Sequence, residues 1–382
     1  MFGNLRNRHL LMVWQLAVLA LLGGCVTNPV TYDSSCPIIA ESLFVYGHFQ
    51  DQATGVAVSQ EGRIFVSFPR WDKEPLYSVA EVMTDGTLRP YPDQDWNRWG
   101  KDVADHPEAH FVCAQSVIVD EDDFLWILDP ASPDFKGVVP GGAKLIKVDP
   151  ATDKVERVIL FDDAAAPRGS YLNDVRIDPS GDYAYITDSG LGAIVVVNLE
   201  NGRIRRLLAD NPSTRAEPGY VPEIEGRELR DESGRVPQIH ADGIAIDAEG
   251  DYLYYHALTA RALYRIRTTY LKDERLTEEQ LAGHVERVKV TGAVDGMQMD
   301  ADDNLYFTAL EDSALKVYRP ADNTLETVVR DYRIHWPDSI DVGADGNLYF
   351  TDSQINRMPR FNQGKDRRGV PYKFFRTWLT PY

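Results

Sequence analysis

Asn173, Asp242, Asp295 and Asp338 stand at one point of a phrase that recurs along the chain, each just ahead of a short apolar run. Thr54 and Gln115 hold that point in the two earlier copies, and Asp174 follows Asn173. Equivalent positions of a repeat converge in space when the repeats are arranged about an axis. Brought together, these side chains offer oxygen-only donors, which suit Ca²⁺ or Mg²⁺ rather than zinc. Without a cation, crowded carboxyls hold protons and titrate far above their usual range. Either state marks a functional site. Asp242 and Asp295 are therefore the candidate catalytic carboxyls, with His240 as a proton carrier. Asn173, Asp242 and Asp295 are the candidate metal ligands. Asn173, Asp338 and Gln115 are candidate ligand contacts. So are Arg70, which could meet a carboxylate, and Trp71 and Trp336, which could wall an indole or catechol ring. Taken singly, each Asp-Gly or Asn-Asp also reads as a turn former, and each lone His (His240, His256, His335) as a structural residue. Asp120, Asp178, Asp247 and Asp300, later in the repeat, read as turn formers without chemistry.

The elements that must position these residues follow from the phrase itself. It reads TGVAVSQEGRIFVSF at 54–68, QSVIVDEDDFLWILD at 115–129 and NDVRIDPSGDYAYITD at 173–188. It returns as DGIAIDAEGDYLYYHA at 242–257, DGMQMDADDNLYFTA at 295–309 and DSIDVGADGNLYFTD at 338–352. Each copy is an opener, an alternating apolar strand, an acidic or Gly turn and an aromatic-rich second strand. A spacing of roughly 40–70 residues is that of propeller blades, which bury both sheet faces only against their neighbours. The expectation is an all-β, six-bladed β-propeller over 42–382. Residues 43–49 would be a strand closing the ring against the last blade, since an open ring leaves a bare sheet edge. Residues 209–239, rich in Pro, Gly and charge, break the rhythm as a binding loop or a surface insertion. Residues 273–285 read as a short helix inserted in blade four, with Thr277 and Gln280 as a capping box.

The N-terminus has a different character. Arg6, Arg8 and His9 precede an apolar stretch ending in Leu22-Gly23-Gly24-Cys25. That pattern is a signal peptide over 1–24, shorter in its apolar part than a membrane span requires. The Cys after Leu-Gly-Gly resembles a bacterial lipobox. It implies lipidation of Cys25, a lipidated tether over 25–41 and an exported envelope protein anchored in the outer membrane and facing the periplasm. Cys36 and Cys113 are the other two cysteines, and in an oxidising compartment they would form one disulfide. The formal net charge of −19 argues against nucleic acid as a partner and suits cationic ligands. No phosphate loop, dinucleotide fingerprint or nucleophile elbow accompanies the repeat.

Four segments resemble the major royal jelly protein and yellow family in its bacterial branch. They are GVAVSQEGRIFVSFPRW (55–71), YLNDVRIDPSGDYAYITDSG (171–190), HADGIAIDAEGDYLYYHALTARALYRI (240–266) and the run from WPDSIDVGADG to GVPYKFFR (336–376). The resemblance implies a six-bladed propeller with a central cavity, and relatives that bind biogenic amines or convert dopachrome. More distantly the chain is similar to the regucalcin and gluconolactonase superfamily, whose members hold a divalent metal in the channel with a first-blade Glu and later Asn and Asp. Here Asn173 and Asp242 stand at comparable openings, but the first blade reads Ala53-Thr54-Gly55, with no Glu. The implied functions are thus three. The first is a small-molecule site for an aromatic amine or catechol-type compound, with dopachrome-type isomerisation. The second is a metal-dependent lactonase-type hydrolase. The third is a non-catalytic envelope binding protein.

Overall fold

The computed structural model describes residues 40–379. The expected signal peptide over 1–24, Cys25, Cys36 and most of the expected tether lie outside the described residues. Six four-stranded antiparallel sheets are arrayed as the blades of a propeller. Their innermost strands are Val56–Val58, Ser116–Val119, Leu172–Ile177, Ala241–Ile246, Val294–Met299 and Pro337–Val342. Each begins within two residues of its opener, as the repeat predicts.

Alternation along the strands turns apolar residues to both faces of every sheet, so each pair of adjacent blades encloses a core. Val112, Leu128 and Leu145 of blade two meet Leu172, Val175 and Ile186 of blade three. Tyr185, Ile194 and Val196 of blade three meet Ile244, Leu253 and Tyr255 of blade four. The same arrangement continues around the ring to the contact of blade six with blade one. The strand Phe44–Phe49 pairs antiparallel with Tyr372–Trp378, the third strand of blade six, with Val45 opposite Phe375. This closes the ring where the sequence places the closure. Phe49 stacks on Phe374 at 5.5 Å and meets Phe68 of blade one edge-on at 5.4 Å.

The two irregular stretches behave differently. Thr268–Lys272 and Glu278–Ala282 are short helices between the third and fourth strands of blade four, and Thr277 with Gln280 forms the expected capping box. Residues 209–239 contain only a 3₁₀ turn, Pro212–Thr214, and a small hairpin, Glu223–Ile224 with Arg227–Glu228. Among the described residues no helix is long and apolar enough to cross a membrane.

The expected Cys36–Cys113 disulfide has one partner outside the described residues. Cys113 itself is a free, fully buried thiol. Its Sγ lies 3.7 Å from the Arg70 carbonyl, and burial pushes the thiol up to about 12. A thiol so enclosed behaves as a small apolar residue.

Candidate functional site

The openers converge. Gln115, Asn173, Asp242, Asp295 and Asp338 line one chamber of about 500 Å³ at one mouth of the channel. The residues after them, Ser116, Asp174, Gly296 and Ser339, line a second chamber of about 260 Å³ on the other side. The two chambers therefore meet back to back at the opener layer.

A backbone irregularity produces this layer. The ladder between first and second strands shifts register at 172–175, 241–244, 294–297 and 337–340, the opener pair of blades three to six. A bulge re-aims two consecutive side chains and frees backbone groups from the ladder. Second-strand hydroxyls take up those groups. Gly55 N–H donates to Ser67 Oγ, Asp174 N–H to Thr187 Oγ1 and Asp295 N–H to Thr308 Oγ1. Ser67, Thr187 and Thr351 in turn donate to the opener carbonyls of the next blade, at Gln115, Asp242 and Thr54. The openers are thus stitched blade to blade.

Glycine at the second opener position has a steric cause. A Cβ on Gly243 would lie 2.2 Å from the Asp295 carbonyl oxygen, and one on Gly296 equally close to that of Asp338. Blade three carries Asp174 there instead, which adds a buried carboxyl to the channel axis.

A second set of carboxylates fixes the chain entering each opener. Asp129 accepts from the N–H groups of Val112 and Cys113, and Asp188 from that of Tyr171. Asp352 accepts from those of His335 and Trp336. These residues end the second strands of blades two, three and six. They hold the residue two before the opener, which puts Tyr171 and Trp336 on the chamber wall.

The floor is acidic and buried. Asp242, Asp295 and Asp338 are 2%, 6% and 4% exposed. Asp242 Oδ1 and Asp338 Oδ2 have no hydrogen-bond partner. Asp295 Oδ2 accepts from Trp336 Nε1 at 2.6 Å. Burial, then the neighbouring Asp295, Asp174 and Asp338 carboxyls, hold Asp242 well above the usual carboxylate range. Burial and then Asp295 do the same to Asp338. Asp295 is pushed up to about 7 by burial, against the stabilising Trp336 bond. Asp295 raises Asp242 further while Asp242 lowers Asp295, so the two titrate as a linked pair in which Asp242 holds its proton more firmly.

Above the floor the walls are aromatic. Phe135 lies between Trp71 and Tyr171, with ring centroids 5.1 and 5.2 Å apart. Trp71 Nε1 donates to the Tyr171 hydroxyl at 2.7 Å, and that hydroxyl donates to Gln115 Oε1 at 2.9 Å. Val236, Pro237 and Ile239 bring the 209–239 insertion to the chamber as one wall, and Met358, Arg360 and Phe361 bring the loop before the last strand. The insertion is thus part of the site.

Two sequence candidates stand elsewhere. Arg70 is buried in blade one, donating to Glu74 Oε1, Ser78 Oγ and the carbonyls of Phe111, Val112 and Asn97. Its donors are occupied in joining blade one to blade two, so it does not reach a ligand. His240 is absent from the chamber lining. Its Nδ1 accepts the Ala216 N–H at 2.9 Å, and burial with the nearby Arg215 charge lowers its proton affinity. It braces the insertion. His256 and His335 are likewise structural, held by Thr291 and Asp352. Tyr171, Phe135 and Phe361 were not singled out from the sequence. Tyr171 had a signal, since it occupies the same place, two before the opener, as Trp336.

The oxygen donors of the floor have the chemistry of a hard divalent site, but their arrangement does not complete one. Among the described residues no three His, Cys, Asp or Glu side chains form a group able to hold a metal ion. One Asp295 oxygen is held by Trp336, and no first-blade Glu is present. The Asn173, Asp242 and Asp295 set expected for Ca²⁺ or Mg²⁺ lies in this carboxyl floor, with one Asp295 oxygen taken by Trp336.

Solved structures with this architecture include a luciferin-regenerating enzyme, with TM-score 0.53, 10% identity and 90% and 96% of the two chains covered. A gluconolactonase from Xanthomonas campestris gives TM-score 0.51 at 13% identity, over 88% of this chain and 89% of that one. At such identities the likeness establishes the propeller and no more. In sequence, the chain is 25% identical to major royal jelly protein 5 of Apis mellifera over 309 residues, 73% of this chain. The match spans only 48% of that protein's length. The family profile described as "Major royal jelly protein" matches residues 112–369, which hold five of the six openers and every wall of the chamber but Trp71. The chain belongs to the major royal jelly protein family.

Proposed function

We propose that the chamber binds a small aromatic ammonium compound, with the Asp242–Asp295 pair as its counter-ion and proton carrier. The observation that carries this reading is the pair of unpartnered, buried oxygens, Asp242 Oδ1 and Asp338 Oδ2, beneath aromatic walls. Unmet acceptors in a buried floor favour a ligand that brings donors and positive charge. Trp71, Tyr171 and Phe135 supply ring faces for the apolar part of such a molecule. The same pair suits proton transfer on a catechol-derived ring. One carboxyl is ionised while its neighbour is protonated, which is what a dopachrome-type tautomerisation needs of a base and an acid.

Binding and proton release are coupled in this scheme. A cation favours ionised carboxylates, whereas the empty floor holds protons up to about pH 7 at Asp295. Affinity for phenethylamine, measured by calorimetry, is therefore expected to rise about tenfold from pH 6 to pH 8, with protons released to buffer. Asp242→Asn is expected to weaken binding at pH 8 by about tenfold and to flatten the profile. Binding that is flat with pH and equal in both proteins would remove the floor from the reading. Lactone hydrolysis abolished by a chelator would move the protein to the hydrolase reading instead.

A further inference from the structure

We infer that Arg360 is an anion-recognising pole at the mouth of the chamber, so that the ligands held best are bipolar. These are aromatic ammonium ions that carry a carboxylate at the end of the ring away from the ammonium. The inference rests on the proposed amine site and specifies its substrate class.

Arg360 lines the chamber at its solvent-exposed rim. Its guanidinium lies over Phe135 at 4.5 Å and over Phe361 at 5.2 Å from the ring centroids. Stacking on two rings fixes the plane of the guanidinium and leaves its N–H edge available for a planar bidentate partner. Among the described residues no carboxylate forms an ion pair with it. Partial burial lowers its proton affinity, and the carboxylates nearest to it are Asp231 and Asp72. Asp231 already accepts from Ser233 and Arg235, and Asp72 from Arg368. The guanidinium is therefore a positive, donor-rich edge in a protein of net charge −19. Every other charged group of the opener layer facing this chamber is a carboxyl. Arg235 also lines the chamber but is paired with Asp231, so the chamber has an acidic floor, aromatic sides and, in Arg360, a basic rim group without an ion-pair partner among the described residues, a polarity that a plain amine uses at one end only. The Phe135 ring that stacks on Arg360 also contacts Trp71 and Tyr171, so a ligand ring against this wall meets both poles.

The test compares phenethylamine with 4-(2-aminoethyl)benzoate, which has the same ring and ammonium and adds a carboxylate at the far end. In the wild-type protein the benzoate is expected to bind roughly threefold or more tightly at low salt, and to lose that advantage at about 1 M salt, where screening acts over only ~3 Å. Arg360→Gln is expected to erase the difference between the two compounds, and Arg360→Lys to restore part of it. Equal affinities in the wild-type protein, or a preference that persists in Arg360→Gln, would overturn the inference while leaving the amine site standing. If neither compound binds, the amine reading falls, and this inference with it.

Discussion

Asp242 and Asp338 each keep a buried oxygen without a partner, an arrangement that costs stability when ionised. Their cause is positional: equivalent residues of separate blades are forced onto one axis, and Asp174 adds a fourth carboxyl in the place where Gly243 and Gly296 stand. The sign of the pH effect follows. These groups bind protons more tightly in the folded chain than in the unfolded one. Their contribution to stability is therefore full at pH near 4 and is lost as pH rises toward and past 7. Asp242→Asn keeps the shape, supplies a donor to Asp295 and removes one titrating group. The variant is expected to be more stable than the wild-type protein by about 1–3 kcal/mol at pH 8, with the two converging near pH 4. Urea unfolding across pH checks this, and a wild-type protein that gains stability with rising pH over that window would contradict it. At this scale the sequence showed residue types but not their directions. Asn173, Asp242, Asp295, Asp338, Gln115, Trp71 and Trp336 reach the chamber. Arg70 and His240 sit beside chamber residues in sequence, yet their polar groups turn to Phe111 and Val112, and to Ala216.

The element that makes the site is the bulged start of the inner strand. The bulge sends one opener side chain toward each chamber, and it is tight because the next blade's carbonyl presses on it. Gly243→Ala would place a methyl 2.2 Å from the Asp295 oxygen and 2.9 Å from the Met297 side chain. The backbone there cannot yield without moving the neighbouring blade, so a loss of roughly 2–4 kcal/mol is expected. Gly62→Ala is the control. Gly62 has φ 81° and open space around its Cβ position, so only the cost of a left-handed residue, about 1 kcal/mol, is expected. Thermal unfolding of the two variants compares them, and equal losses would show that the close approach at Gly243 is relieved. Strand positions are legible because alternation and Gly-containing turns are local signals: in blade three they read as strands over 172–178, 183–188, 193–198 and 203–208, and the strands lie within a residue or so of each. The bulge was not legible. It depends on hydroxyls of Thr187 and Thr308 that lie 13 residues away and on a carbonyl of another blade.

Over the whole molecule, stability depends on closure, because each blade's core is shared with its neighbours. Phe49 sits at the seam, buried between Phe374 and Phe68. Phe49→Ala is expected to cost about 3–5 kcal/mol and to lower the single unfolding transition of the ring rather than detach one blade. Calorimetry distinguishes the two, and a separate early transition of the closing strand would refute a cooperative ring. What the sequence by itself determined was the number of blades, their order, the closing strand and the opener set. Repetition, alternation and turn chemistry are written in neighbouring residues and need no partner to be read. What only the tertiary structure decided was which side of the opener layer each residue faces and that Cys113 is an enclosed thiol. It also decided that residues 209–239 wall a chamber, and that Asp242 and Asp295 are buried together as a linked pair in its floor. Those outcomes depend on distances and burial between residues far apart in the sequence, such as Trp71 and Phe361 of one chamber wall, which arise only when the ring closes.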